Sequence, residues 1–304
     1  MNSERLAPTP SSAGEWKHLW SWMILLGIGM TWGSSYFFIK KALIAFNPYQ
    51  IGSLRLVLAA IFFLPFAIRR LHLIQPHHWI PLIVVGVCGS AVPAFLFPFA
   101  QTQLSSSFTG VLSSTTPIFT LALGALFFKL VLTKRKIVGV AVGFVGAVFL
   151  ILLSGQGKLE GDPRYALLAL TATLFYATSS NTINTYLNEL GTISISSIAY
   201  VLLGIPAVFL LGFTGISEVY RTHPEAFWTS FGYVAILSLA GTALASIFFF
   251  KLIKMSGVVF ASSISYIIPC FAVLIGFLDG EALTWVHAAG MILILAGIYL
   301  TGKR

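Results

Sequence analysis

Polar and apolar positions along this chain do not alternate finely; they separate into long blocks. Apolar runs occupy 22–39, 49–68, 81–101, 109–128, 137–153, 165–186, 194–213, 231–252, 258–277 and 285–301. At about 1.5 Å per residue, each is long enough to cross most or all of a hydrocarbon core as a helix. A barrel would show shorter strands of alternating polarity, and open strands would leave backbone groups unpaired in lipid. The pattern predicts an all-α integral membrane protein with ten transmembrane helices. A polar tail (1–21) precedes five helices (22–153). A linker (154–164) leads to five more (165–301), and 302–304 form the other terminus.

The two blocks echo one another. Gly110 to Thr120 and Ser262 to Ala272 each carry a proline inside an apolar run, Pro117 and Pro269, with hydroxyl residues in the two turns before it. Gly139, Gly143 and Gly146 in the fifth run match Gly290, Ile294 and Gly297 in the tenth. Trp32-Gly-Ser-Ser parallels Tyr176-Ala-Thr-Ser. Five is an odd number, so a second copy of the unit enters the membrane upside down. The expectation is a pair of inverted five-helix repeats, an arrangement frequent in transporters.

Composition sharpens this picture. Hydrophobic residues make up 57% of the 304 and charged residues 9%, against about 25% charged in soluble domains. The net charge of +9 does not point to nucleic acid, because the cations sit at the ends of apolar runs. With the N-terminus inside, twelve Lys and Arg fall in inner segments and five in outer ones. The positive-inside rule then places both termini in the cytoplasm of a cell inner (plasma) membrane. Six of the seven tryptophans lie near run edges, as an interfacial belt requires, and Trp32 lies mid-run. Cys88 and Cys270 show no metal-ligand spacing. No metal and no cofactor is expected, and no catalytic constellation marks an enzyme.

Candidate chemistry is sparse. All nine acidic residues fall at run ends or in connections, so no mid-membrane carboxylate offers an ion relay. Arg55 is the one charge well inside a run. It either draws a carboxylate or phosphate by forked hydrogen bonds or snorkels and fixes its helix. Pro117 and Pro269 each remove a backbone donor, which makes them candidate hinges whose freed carbonyls need hydroxyls, water or solute. Helical spacing gathers polar stripes: Trp32, Ser35 and Tyr36; Ser113 and Thr116; Tyr176, Ser180 and Asn184 with Asn181 beside them; Ser262, Ser265 and Tyr266. Such stripes either line a wet cavity or glue helices together. The bulky or amide groups Trp32, Asn181, Asn184 and Tyr266 fit a cavity better than a tight helix contact.

Thr31 to Lys40, Leu54-Arg-Leu, Thr116 to Thr120, Ala261-Ser-Ser through Ile268-Pro, and Asp279-Gly-Glu-Ala-Leu-Thr284 together resemble the EamA-type carriers of the drug/metabolite transporter superfamily. The resemblance spans nearly the whole chain. One departure is Lys129, which stands after the fourth run where the family has an acid; Glu281 keeps that acid in the second half. The resemblance implies a cavity between the halves, lined mainly by the first, third, fourth, sixth, eighth and ninth helices, and export of amino acids or related metabolites. The expected partners are a small-molecule substrate and the lipid bilayer, and a homo-oligomer is compatible with both. Two rivals stand beside this reading: an anion exchanger for phosphorylated metabolites using Arg55, Lys251 and Lys254, and a membrane-embedded lipid-modifying enzyme.

Overall fold

The computed structural model describes residues 10–104, 106–153, 162–278 and 285–302, and every regular element among them is a helix. The 279–284 motif with Glu281, and Lys158 and Glu160 of the linker, lie outside the described residues. The helices are α1 (Pro10–Ala42), α2 (Pro48–Arg70), α3 (Trp79–Gly86 and Val92–Gln101), α4 (Ser106–Ser113 and Thr116–Phe127), α5 (Lys134–Leu153) and α6 (Ala166–Tyr186). They continue as α7 (Thr192–Phe213), α8 (Pro224–Ser238 and Ala245–Ser256), α9 (Val258–Ser262 and Ile264–Leu278) and α10 (Trp285–Gly302). A π turn joins the two parts of α3 at Val87–Ala91, and another joins those of α8 at Leu239–Leu244.

Five stretches are long and apolar enough to cross a membrane: Trp16–Ala42, Pro48–Leu73, Pro76–Gln101, Thr192–Phe213 and Pro224–Ser256. Shorter apolar helices are Thr116–Phe127, Val258–Phe271 and Ala288–Gly302. α6 has the length of a span, but its second half is polar, with Thr178, Ser179, Ser180, Asn181, Thr182 and Asn184. α1 starts at Pro10, so part of the stretch read as a polar tail is helical. Large apolar side chains such as Ile61, Ile80, Leu126, Ile205 and Phe213 face outward. In water this would be a liability, and in lipid it costs nothing. Trp16, Trp20, Trp228 and Trp285 are exposed, consistent with an interfacial belt.

Local chemistry sets the ends. Asn47 caps α2: its Oδ1 accepts from Gln50 N at 3.0 Å, and Gln50 Oε1 accepts from Asn47 N at 2.9 Å. Gln50 Nε2 also donates to Thr214 O at 3.0 Å, tying the head of α2 to the tail of α7. The α8–α9 turn is a single residue, Gly257 at φ 85°, a conformation that strongly favours glycine. Near it, Lys254 Nζ donates to the carbonyls of Leu187 and Asn188 at 2.9 and 3.1 Å and to that of Leu190, closing the end of α6. Ahead of α6, Arg164 donates to Asp162 through N and Nε at 2.9 and 3.1 Å, which holds the Asp162 carboxyl below its usual range.

The packing pairs have a regular relation. α2 packs on α7, and α5 on α10. α1 packs on α9 as α6 packs on α4, and α1 on α8 as α6 on α3. Exchanging the first five helices with the last five maps this set onto itself. At the α5–α10 contact the backbones touch: a Cβ on Gly297 would lie 2.6 Å from Gly143 Cα, and one on Gly146 would lie 2.8 Å from Ile294 N. The small residues that match between the fifth and tenth runs face each other across this contact.

Candidate functional site

A cavity of about 90 Å³ lies among α1, α2, α3, α4, α6, α7, α8 and α9. That is room for several waters at about 10–15 Å³ each, and so the scale of a small metabolite. α5 and α10 contribute nothing to it among the described residues. The resemblance implied six lining helices, and the structure adds α2 through Arg55 and Leu56, and α7 through Tyr200.

Its walls are built on helix irregularities. Within a π turn the hydrogen-bonding pattern widens by one residue, which re-aims side chains and loosens backbone groups. The α8 turn presents Gly241 and Thr242 to the cavity, and the α3 turn presents Gly89 and Ser90. Trp32 Nε1 donates to Gly241 O at 2.8 Å, so an α1 side chain fills the opened carbonyl. Arg55 Nη2 donates to Thr242 Oγ1 at 3.0 Å, while Ser90 Oγ donates to the Tyr200 hydroxyl at 2.8 Å. One link thus runs from α2 to the α8 turn and another from α7 to the α3 turn. A Cβ on Gly241 would meet Ser35 Oγ, and one on Gly89 would meet Ser179 Oγ, so each turn rests on a serine of α1 or α6.

Aromatic rings form one side. Trp32 stacks on Tyr176 at 6.3 Å and leans on Phe249 at 5.0 Å. Phe97 meets Tyr176 at 5.8 Å and Tyr36 at 5.8 Å.

α4 and α9 break where the sequence expected continuous helices. Pro117 sits in the first turn of the second α4 segment rather than deep inside a helix. It cannot donate to Ser113 O, and Thr116 Oγ1 supplies that bond at 2.6 Å. Pro269 cannot donate to Ser265 O, and Ser114 Oγ supplies that one from α4 at 3.2 Å. Both carbonyls freed by these prolines are taken by hydroxyls, as expected for apolar surroundings.

The predicted site residues divide. Trp32, Ser35, Tyr36 and Arg55 line the cavity, as do Ser113, Thr116, Tyr176, Ser180, Ser262 and Ser265. Asn181, Asn184 and Tyr266 do not line it. Tyr266 is fully buried, its hydroxyl donates to Val140 O at 2.9 Å, and its ring packs on Gly143 of α5. Asn181 Nδ2 donates to Thr120 O and Ala177 O, both at 3.0 Å, joining α6 to α4. Asn184 is half-buried near the end of α6, where its carbonyl accepts from Asn188. Sequence reasoning missed Gly89, Ser90, Tyr200, Gly241, Thr242, Phe97 and Phe249. One signal was present: the chain offset relating Pro117 to Pro269 also relates Gly89-Ser90 to Gly241-Thr242.

Two features lie apart from the cavity. Lys254 is committed to the turn after α6, and Lys251 is exposed, so of the three cations in the anion-exchange rival only Arg55 reaches the cavity. His77, His78 and Glu189 bring ligand atoms within 4.8 Å of one another. His78 Nδ1, however, accepts from Gln75 N at 3.1 Å, which leaves the proton of a neutral ring on Nε2, 3.8 Å from Glu189. That nitrogen presents a donor to the carboxylate, not a lone pair to a metal.

The fold has counterparts among known proteins. A crystal structure superposes with a TM-score of 0.66 over 92% of this chain and 95% of its own, at 16% identity, which speaks for the fold alone. The uncharacterized inner membrane transporter YedA of Escherichia coli (strain K12) is 28% identical, with 92% of this chain and 90% of YedA aligned. The uncharacterized transporter YcxC of Bacillus subtilis (strain 168) is 26% identical over 88% of this chain and 87% of its own. An uncharacterized transporter of Archaeoglobus fulgidus is 25% identical over 93% and 99%. The EamA-like transporter family matches residues 19–152 and again residues 163–303. With both halves matched, the chain belongs to the EamA-like transporter family.

Proposed function

We propose that this protein is a secondary carrier that moves small amphipathic metabolites, amino acids or related compounds, by alternating access. In this reading ten spans form two inverted five-helix halves with both termini cytoplasmic, and the cavity at their junction holds the solute during the switch. The observation that carries it is the paired construction of that cavity. Each half supplies a π turn with a glycine and a hydroxyl, a serine beneath the other half's turn, and a broken helix carrying a proline whose freed carbonyl a hydroxyl takes. Separate family matches to each half and the exchangeable packing pairs support the repeat.

The lining favours a solute that is polar at one end and apolar at the other. Aromatic rings, hydroxyls and a single cation surround the space, and no carboxylate lines it among the described residues. A doubly charged phosphate would find Arg55 alone, so the zwitterion reading has the better support.

The test is counterflow in proteoliposomes. Vesicles preloaded with an unlabelled apolar amino acid should take up labelled amino acid in a transient overshoot that depends on the protein. Folded protein that exchanges none of the apolar amino acids would remove this reading.

A further inference from the structure

Arg55 is 8% exposed, lies in the middle of the fold and lines the cavity. A guanidinium carries five N–H donors in a rigid fork. Among the described residues one hydrogen bond uses them, from Nη2 to Thr242 Oγ1 at 3.0 Å, and Nε is buried without a partner there. The Arg55 backbone carbonyl is separately engaged by Ser238 Oγ at 2.7 Å, so the helix is held in place without the side chain. None of the ion pairs among the described residues involves Arg55, and the described acidic residues fall near helix ends or in connections. A buried charge without a counter-charge is among the least stable arrangements in an apolar medium and marks function by default.

We infer that Arg55 is the anchor for a carboxylate on the transported solute. This rests on the carrier reading and names the chemical class that carrier selects. The carboxylate accepts from the unused donors of the fork, a match of planar geometry as well as of charge. The rest of the solute lies along Trp32, Tyr176, Phe97 and Phe249. An ammonium group, where there is one, faces those rings. Amines without a carboxylate keep the rings but meet like charge at Arg55. Thr242, the side chain that the Arg55 fork donates to among the described residues, belongs to the α8 π turn, so a carboxylate that draws on the same guanidinium acts directly on that turn.

The experiment uses purified full-length protein and matched sets of solutes. One set is phenylalanine, 3-phenylpropionate, 2-phenylethylamine and phenethyl phosphate; a second is leucine, 4-methylpentanoate, 3-methylbutylamine and 3-methylbutyl phosphate. Binding is read as the solute-dependent rise in melting temperature, and transport as counterflow. In each set that binds, the carboxylate-bearing members should bind about 10- to 100-fold more tightly than the amine, the range expected for a lost charge-assisted bond. Arg55→Met, which nearly preserves volume, should erase that preference, and Arg55→Lys should keep part of it. Thr242→Val should retain it; a Thr242→Val variant that loses it exactly as Arg55→Met does would show that Arg55 only pins α8. Wild-type protein that binds and exchanges amines as well as acids would overturn the anchor and leave the carrier reading standing. Tighter binding of the phosphates would also overturn it. Should no member of any set bind or exchange, both readings fall together.

Discussion

Trp32 has two jobs in one side chain. Its ring walls the cavity and its Nε1 satisfies a carbonyl opened by the π turn of α8. Trp32→Phe keeps much of the ring and removes the donor. Leaving Gly241 O without that bond should lower stability by about 1–3 kcal/mol, read as a lower melting temperature in detergent. An unchanged melting temperature would show that water replaces the indole. Tyr266 is the contrasting residue. It sits between α9 and α5 and bonds Val140 O, away from the cavity. Tyr266→Phe should cost roughly 1 kcal/mol of stability and leave solute affinity unchanged. Weaker solute binding with unaltered melting would instead place Tyr266 on the solute's route.

Among the elements, the α5–α10 pair has no tolerance for side-chain bulk at its centre. Gly297→Val would force atoms into Gly143, where a Cβ alone already lies 2.6 Å from Cα. Overpacking of this kind costs about 1–3 kcal/mol or more and should appear as loss of folded protein on size exclusion. Gly27→Val meets open space and should not cause it. The small residues of the α5–α10 seam stood out in the sequence as a match between the fifth and tenth runs. Long apolar runs likewise marked α2, α3, α7 and α8. The irregularities were not legible. A π turn costs one residue and leaves no compositional mark, so Gly89-Ser90 and Gly241-Thr242 looked like ordinary span residues. The interruptions of α4 at Ser113–Thr116 and of α9 at Ser263 had a similar effect. A helical face extrapolated through α9 groups Tyr266 with Ser262 and Ser265, whereas the interrupted helix keeps the two serines on the cavity and turns Tyr266 to α5. Asn181 and Asn184 lie off the cavity for other reasons: Asn181, next to the cavity-lining Ser180, turns to α4, and for Asn184 periodicity gives a face but not how far along the helix the cavity extends.

At the scale of the whole molecule, the proposed orientation rests on the excess of cations in the inner segments. A cysteine introduced at 214–223, between α7 and α8, should react with an impermeant reagent added outside intact cells, and one at 133–135 should not. The opposite pattern would invert every inside and outside assignment. In the proposed carrier, one cavity between the halves is reached from both sides in turn. This is tested most directly with a single cysteine at Ser180, on the cavity wall, in a background lacking Cys88 and Cys270. The protein is reconstituted in one known orientation, and an impermeant thiol reagent is applied to one face at a time. Alternating access predicts modification from either face alone, slowed in both cases by a transported solute. Modification from one face only, whatever the solute or its gradient, would contradict alternating access.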